Sequence, residues 1–177
     1  MRAETRQAPP LPGATKDEQS VTADWAALQE AIDGVRLIEV RNVIGETGCT
    51  TEVIRREWFD GALDLDQVFQ VTLAGGGLTA WHVHLKTTDR LFVSSGQMKI
   101  ALYDGRPESV THGRINEFRL GERRPGLVIV PPGVWHGVKN LQSSDGRVLN
   151  LVDVAYEYED PDHWRLPPDT PQIPYRF

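Results

Sequence analysis

The alternation of apolar and polar residues along this chain predicts a protein made almost wholly of strands. From residue 36 onward, short runs rich in Val, Ile, Thr and Phe are separated by Gly and Asp turns, a pattern typical of half-buried strands. The predicted strands are Arg36–Val43, Thr50–Glu57, Gln67–Leu73, Leu78–Leu85, Arg90–Ser94, Gln97–Tyr103, Arg114–Leu120, Gly126–Val130, Gly137–Asn140 and Arg147–Ala155. Many short strands with almost no helix favour an all-β antiparallel sandwich or barrel, of which the jelly roll is the small-domain form.

The first residues of the chain follow a different pattern. Residues 1–22 are polar and rich in Pro, so we expect a flexible arm ahead of a single domain that spans residues 23–177. Thr22 or Asp24 is a suitable helix N-cap, and the sequence predicts a short helix from there to Ile32.

The last residues, Tyr156–Phe177, contain five prolines and are expected to lie extended over the surface. Trp164, Tyr175 and Phe177 are the predicted anchors of this tail, because aromatic rings bury large apolar areas. His163 stands beside Trp164, and we expect either packing or surface exposure for it.

Composition narrows the functional classes. With 177 residues, the chain most simply forms one domain with a sizeable core. A formal charge of −6 argues against nucleic acid or an anionic membrane as partner. Cys49 is the only cysteine, which excludes an intrachain disulfide. The N-terminal residues lack the apolar stretch of a signal peptide, so we expect a cytoplasmic protein with no membrane partner.

Candidate chemistry is concentrated in two stretches, Gly76–His84 and Pro131–Gly137. His82 and His84 are two residues apart, so both side chains leave a strand by the same face. His136 follows a Pro-Gly turn in the second stretch. Imidazole transfers protons or binds metals near neutral pH, so these stretches predict a site for a small molecule or a metal.

The two stretches, taken with Asp89 and Gly96 after the first and Asn140 after the second, resemble the two signature motifs of the cupin superfamily. The resemblance implies a double-stranded β-helix, the jelly roll of cupins. In metal-binding cupins the matching residues hold one divalent ion such as Fe, Mn, Ni or Zn, and this implies the ligand set His82, His84, Asp89 and His136. The usual carboxylate is Glu, and Asp89 is one methylene shorter.

A longer resemblance covers about residues 35 to 177. It rests on six segments: Gly48–Glu52, Val68–Gln70, Ala80–His82, the strand that carries Arg90, Val130–Gly137 and Tyr156–Trp164. Together these resemble the dTDP-4-dehydrorhamnose 3,5-epimerases. Members of that family are metal-free cupins, usually dimers, that isomerise a nucleotide-linked 4-keto sugar. The resemblance therefore implies a homodimer that acts on a small molecule of the dTDP-sugar class without a cofactor.

The resemblance also implies roles for particular residues. His82 would be the base that removes a proton next to the ketone, and Arg90 would stabilise the enolate. His136 would help to hold the substrate, and Glu52 and Gln70 match the family's nucleotide-contacting positions.

Several positions depart from the epimerase pattern. Thr79 stands where the family has an Arg, and the catalytic Tyr would fall at Asn150 or Leu151. The Asp that pairs with the catalytic His is expected to be absent. Tyr156 and Tyr158 in the tail are alternatives for the missing acid.

Two further hypotheses therefore remain open. One is a metal-dependent enzyme, either a dioxygenase or a small-molecule isomerase, which would use His84. The other is a non-catalytic cupin that binds a small molecule, which the lost Tyr and Asp favour.

Overall fold

The computed structural model describes residues 11–24 and 28–177 of the chain. The chain divides into two compact units, residues 1–30 and residues 31–177. The sequence-based domain boundary after residue 22 stays a prediction.

The helix predicted from Thr22 or Asp24 to Ile32 is wrong. None of the described residues in that stretch is helical, and residues 25–27 lie outside the described part. Ile32 instead buries its side chain in the core of the second unit. Its backbone N–H donates to Asn116 Oδ1 at 2.9 Å, a bond that replaces the one a helix would have supplied.

The second unit is built from strands, twelve of them among the described residues. Their bounds are β1 Arg36–Glu39, β2 Asn42–Gly45, β3 Gly48–Thr51, β4 Gln67–Leu73, β5 Leu78–Val83, β6 Asp89–Ser95, β7 Gln97–Asp104, β8 Ile115–Gly121, β9 Gly126–Val130, β10 Val134–Asn140, β11 Gly146–Val152 and β12 Trp164–Arg165. The short helical element is a 3-10 turn, Arg56–Phe59.

Two five-stranded sheets face each other. The first sheet has the order β1-β9-β6-β11-β4, the second has the order β12-β5-β10-β7-β8, and β2 and β3 form a separate hairpin. Every pairing of named strands is antiparallel. The predicted all-β jelly roll is confirmed.

The core follows from the period of two along each strand. Inward-facing apolar residues such as Leu91, Ile100 and Val128 fill the space between the sheets. Trp81 points the other way and lies in a second apolar cluster on the outer face of the second sheet.

The C-terminal tail covers that outer face. Tyr175 and Phe177 pack on Trp81, with ring centroids 5.8 and 5.0 Å away, as the sequence predicts. Trp164 was predicted as a third anchor and is wrong in that role, because its side chain is 58% exposed. It pairs through its backbone instead, at the start of β12.

The early strands are shorter than predicted. The run Arg36–Val43 is broken into β1 and β2, and the predicted strand Thr50–Glu57 is mostly a loop, because β3 ends at Thr51. The apolar residues of this loop pack on the outer face of the first sheet without a strand partner: Val53, Ile54, Trp58 and Phe59. An apolar run of this kind can bury its side chains by packing on a sheet, without pairing as a strand.

Candidate active site

A cavity of about 290 Å³ lies between the inner faces of the two sheets. Both sheets supply its walls, and the C-terminal segment closes one side. Four of the five histidines in the chain line it: His82, His84, His136 and His163. Much of the remaining wall is apolar, including Phe69, Val71 and Leu91. A concave, mostly apolar space with a few converging polar groups is the usual form of a small-molecule site.

Three polar side chains stand in a row across β12, β5 and β10. His82 on β5 is the register partner of Arg165 on β12 and of His136 on β10. Cross-strand partners point to the same face, so all three side chains enter the cavity. Arg165 Nη1 lies 3.1 Å from His82 Nε2, and the His82 and His136 ring centroids are 5.8 Å apart.

The contacts of His82 fix its protonation state. A guanidinium can only donate, so His82 Nε2 accepts the bond from Arg165, and Thr79 Oγ1 lies 3.0 Å from the same nitrogen. Burial first, and then the nearby positive charges of His136 and Arg165, lower the pKa of His82 to about 3. His82 is therefore a neutral imidazole at neutral pH.

Asp89 organises the opposite side of the cavity. Its Oδ2 lies 3.1 Å from His136 Nε2 and 3.4 Å from His84 Nε2, and its Oδ1 accepts a 2.7 Å bond from Asn150 Nδ2. Burial alone would raise the pKa of this carboxyl group, but the bonds to His136 and Asn150 and the nearby imidazoles lower it to about 2. Asp89 is therefore an ionised carboxylate in an almost fully buried position.

His136 faces acceptors with both ring nitrogens. Nδ1 lies 3.2 Å from the Val134 carbonyl oxygen, and Nε2 faces Asp89. Burial disfavours the charged ring, but the hydrogen bond and charge of Asp89 outweigh it and raise the pKa of His136. His136 and Asp89 thus form a buried hydrogen-bonded pair, in which the acceptors at both ring nitrogens favour the charged imidazole, next to the neutral His82.

Three groups could hold a metal ion. Donor atoms of His84, Asp89 and His136 all lie within 4.8 Å of one another. Nδ1 of each histidine bonds a backbone carbonyl, that of Asp162 for His84 and that of Val134 for His136. This leaves each Nε2 directed at Asp89, the arrangement that orients imidazole ligands around an ion. His82 is not in this group because Arg165 and Thr79 engage its Nε2, so three of the four predicted ligands come together.

Asp162 attaches the C-terminal segment to the edge of the cavity. Its carboxylate accepts the backbone N–H groups of Leu85 and Lys86, at 2.9 and 2.7 Å. These bonds hold the following residues against β5, where the β12 pairing begins. His163 and Arg165 therefore reach the cavity from a segment far away in sequence.

Solved structures share this architecture. The dTDP sugar isomerase of Desulfovibrio desulfuricans G20 is 27% identical, with a TM-score of 0.73, over 81% of this chain and 90% of that chain. The 3'-monoepimerase ChmJ of Streptomyces bikiniensis, in complex with dTDP-quinovose, is 20% identical with a TM-score of 0.73, over 83% of this chain and 76% of that chain. The second likeness supports the fold.

Sequence relatives identify the family, although no family model matches the chain. The probable low-salt glycan biosynthesis epimerase Agl13 of Haloferax volcanii is 31% identical over 136 residues, 75% of this chain and 87% of that protein. This chain belongs to the cupin family of dTDP-4-dehydrorhamnose 3,5-epimerase-like enzymes. The spore coat polysaccharide biosynthesis protein SpsL of Bacillus subtilis is 28% identical over 149 residues, 82% of this chain and 96% of that protein.

Arg90 does not reach the cavity, contrary to the role the family resemblance implied for it. Its neighbours Asp89 and Leu91 line the cavity, and Arg90 alternates to the outer face of β6. There its guanidinium lies 5.4 Å from the Phe59 ring centroid and 3.7 Å from Asp153 Oδ2. The cation that lies beside His82 in the cavity is Arg165.

Glu52 and Gln70 also lie outside the cavity. Glu52 is exposed and forms a 2.7 Å ion pair with Arg55. Gln70 is exposed on β4 and alternates away from the cavity-lining residues Phe69 and Val71. Within one chain, neither residue contacts the space where the histidines converge.

Of the two tail tyrosines, only Tyr156 lines the cavity. Its backbone N–H donates to Gln67 Oε1 at 3.1 Å. Tyr158 is 86% exposed and stacks edge-on against Tyr156, with ring centroids 5.5 Å apart.

His163, for which the sequence predicted only packing or surface exposure, packs against two other histidines and lines the cavity. Its ring lies 5.0 Å from that of His82 and 4.9 Å from that of His84, between centroids. Burial and the nearby charges of His84 and Arg165 lower the pKa of His163 to about 4. The local signal for His163 and Arg165 was their place in an Asp-Pro-Asp-His-Trp-Arg segment, but only β12 pairing shows where that segment lies.

No helix among the described residues is long and apolar enough to cross a membrane. The expected cytoplasmic location stays a prediction.

Proposed function

We propose that this enzyme epimerises or isomerises a nucleotide-linked 4-keto-6-deoxy sugar by removing a proton next to the ketone. The observation that carries the proposal is the pair formed by His82 and Arg165, a neutral imidazole nitrogen 3.1 Å from a guanidinium. A base beside a fixed cation is the arrangement that enolate chemistry requires.

The reaction begins when His82 Nε2 takes the proton from the carbon next to the carbonyl group. The C–H electron pair becomes the new C=C bond, and the carbonyl electrons move onto oxygen. For this step Arg165 has already switched its N–H hydrogen bond from His82 Nε2 to the carbonyl oxygen, which leaves the base free. The guanidinium keeps its proton and stabilises the negative charge on that oxygen, and His82 later releases the proton it took to solvent. Return of a proton to the opposite face of the carbon restores the ketone with inverted configuration.

Tyr156 is the proposed source of the returning proton. Proton removal and return must take place on opposite faces of the sugar, so the acid has to come from a wall other than that of His82. Tyr156 follows β11 of the first sheet, whereas His82 lies on β5 of the second sheet. A phenol on the cavity wall can donate its proton and be reprotonated by solvent.

His136 and Asp89 hold the substrate in this scheme. The imidazolium of His136 offers a charged donor beside His82, and Asp89 keeps the ring charged and oriented. The cavity, at about 290 Å³, suits a sugar ring better than a whole nucleotide sugar. The nucleotide would then lie outside the cavity.

Proton exchange with solvent tests this function. The purified protein is incubated with dTDP-4-keto-6-deoxyglucose in D2O, and the sugar proton signals at C3 and C5 are followed by NMR. We expect deuterium to replace at least one of these protons, with exchange abolished in His82→Asn and retained in the exposed-loop control His112→Asn. Absence of exchange with the wild-type protein would rule the proposal out.

A metal-dependent activity is the second candidate, supported by the convergence of His84, Asp89 and His136. Imidazole and carboxylate donors suit Fe, Mn, Ni or Zn, and a bound ion would supply Lewis-acid chemistry to an oxygen of the ligand. Elemental analysis of protein purified without chelators separates the two candidates. Near-stoichiometric metal that is lost in His84→Ala supports this candidate, and metal-free protein with full exchange activity excludes it.

A non-catalytic binding role is the third candidate. It stays open because Asn150 or Leu151 stands where the family has its catalytic Tyr. It predicts that dTDP binds, as measured by calorimetry, while no 4-keto sugar shows proton exchange.

We further propose that the enzyme is a homodimer formed through β4 and the β2–β3 hairpin. β4 is the end strand of its sheet, and unpaired edge strands need a cover. The hairpin exposes Val43 and Ile44, at 69% and 82%. Light scattering should show a dimer that Ile44→Asp converts to monomers. The same change at Val110, an isolated residue that is 91% exposed, should leave the dimer intact.

A further inference from the structure

His163 carries a buried nitrogen that has no hydrogen-bond partner in the part of the chain that the structure describes. This nitrogen, Nε2, is inaccessible to solvent. A buried polar atom without a partner is costly and uncommon in native proteins, so its position requires an explanation. The ring lines the cavity, which makes a bound ligand a natural partner for this nitrogen.

Two other buried nitrogens also lack partners among the described residues, but they lie away from the cavity. Trp81 Nε1 lies in the aromatic cluster on the outer face of the second sheet, and Arg90 Nε lies on the outer face of β6. Neither residue lines the cavity. Of the three atoms, His163 Nε2 alone belongs to a cavity-lining residue.

The backbone on both sides of His163 is anchored before any ligand arrives. The preceding residue, Asp162, is bound to the backbone of Leu85 and Lys86, and the following residue, Trp164, pairs with Val83. A backbone held on both sides in this way loses little conformational entropy when the side chain that it carries binds a ligand.

The chemistry of the missing partner can be narrowed. A neutral imidazole nitrogen is either a donor or an acceptor, and a hydroxyl group can satisfy it in both cases. The His163 ring lies 5.0 Å from the ring of His82, between centroids, so the hydroxyl must be near the reacting carbon. In a 4-keto-6-deoxyhexose bound through C1, the free hydroxyl groups are those at C2 and C3.

We propose that His163 is a specificity-determining residue whose Nε2 forms a hydrogen bond with the C2 or C3 hydroxyl group of the bound sugar. The proposal rests on the function proposed above. It extends that function to the recognition of sugar hydroxyl groups by the C-terminal segment.

Calorimetric titration with three unreactive probes tests the proposal: dTDP-6-deoxyglucose and its 2-deoxy and 3-deoxy analogues. For the wild-type protein and the control His112→Phe, we expect loss of the contacted hydroxyl group to weaken binding roughly 3- to 10-fold, the value of one neutral hydrogen bond. His163→Phe should bind the parent probe more weakly by a similar factor. With the analogue that lacks the contacted hydroxyl group, His163→Phe should bind as tightly as it binds the parent probe.

His163→Leu serves as a second variant without ring nitrogens, and circular dichroism checks that each variant is folded. The proposal is overturned if both variants keep the full penalty for both deoxy probes, or if the wild-type protein does not bind dTDP-6-deoxyglucose. Its failure can be told from failure of the proposed function. If the wild-type protein exchanges the sugar proton but the His163 variants keep the full binding penalty for both deoxy probes, only this inference fails. If the His163 variants lose the penalty for one deoxy probe but the wild-type protein exchanges no sugar proton, only the proposed function fails.

Discussion

Arg165 lies directly across from His82 in the antiparallel pair formed by β12 and β5, with its Nη1 3.1 Å from the imidazole Nε2. Strand pairing thus brings together a base and a cation that are 83 residues apart. The contact helps to keep His82 neutral at rest. In the proposed reaction, the same contact leaves Arg165 next to the base, where it would stabilise the enolate oxygen.

Replacing Arg165 should therefore affect the chemical step. We expect Arg165→Gln to lower kcat/KM for proton exchange by about 10²- to 10³-fold, the usual cost of one lost oxyanion donor, with partial recovery in Arg165→Lys. Arg176→Gln, which removes an exposed guanidinium from the same tail, should change little. Equal rates for Arg165→Gln and the wild-type protein would contradict the role of this residue.

The same variant should shift the pH profile. The positive charge of Arg165 contributes to the low pKa of His82, so its removal should raise that pKa. Activity that needs neutral His82 falls as the pH drops through this pKa. The acid limb of kcat/KM should thus move to higher pH in Arg165→Gln, as measured by exchange rates across the acid range.

Tyr156 and Tyr158 form a matched pair for testing the acid. We expect Tyr156→Phe to exchange the sugar proton with D2O while losing most net inversion, because proton removal by His82 remains intact. Tyr158→Phe should behave as the wild-type protein, since this side chain is largely exposed and outside the cavity. Product configuration and deuterium content are both read by NMR, and full inversion in Tyr156→Phe would exclude it as the acid.

Asp89 should give the metal-free protein a characteristic dependence of stability on pH. Its folded pKa of about 2 lies below the ordinary value of 3.8, so its stabilisation is present above pH 4 and is lost as the pH falls toward 2. The shift corresponds to about 2 kcal/mol. The contribution of His136 to stability depends on pH in the opposite sense. Because the pKa of His136 is raised in the folded protein, this contribution is full below pH 6.5 and is lost as the pH rises through the folded pKa.

Thermal unfolding across pH in the presence of a chelator checks this dependence. The acid-dependent loss should be reduced in Asp89→Asn, and Asp145→Asn at an exposed position should keep the wild-type curve. Identical curves for Asp89→Asn and the wild-type protein would show that the buried pair does not form.

Asp104 should matter for folding and not for chemistry. This fully buried carboxylate accepts bonds from Arg106 Nε at 2.8 Å, Ser109 Oγ at 2.6 Å and Thr111 Oγ1 at 2.6 Å. Loss of one partner from a buried ion pair costs about 3 to 5 kcal/mol. We expect Asp104→Asn to lower the free energy of unfolding by about 3 kcal/mol in urea titrations, with kcat of the folded fraction unchanged.

The sequence by itself determined the fold and part of the site. Alternation with a period of two directs the side chains of His82, on β5, and His84, just past the end of β5, to the same side, and the Pro-Gly turn starts the strand that carries His136. These features depend on neighbouring residues, so local patterns are sufficient to predict them. The same alternation rule placed Trp81 on the opposite face.

Tertiary structure decided which charged groups share the cavity. Arg90 was assigned by its place in the family motif, but alternation along β6 directs it under Phe59, while Asp89 faces the histidines. His163 and Arg165 enter the site because β12 pairs with β5 across a long stretch of chain. Pairing between strands distant in sequence depends on the packing of the whole barrel, and no local pattern of residues records it.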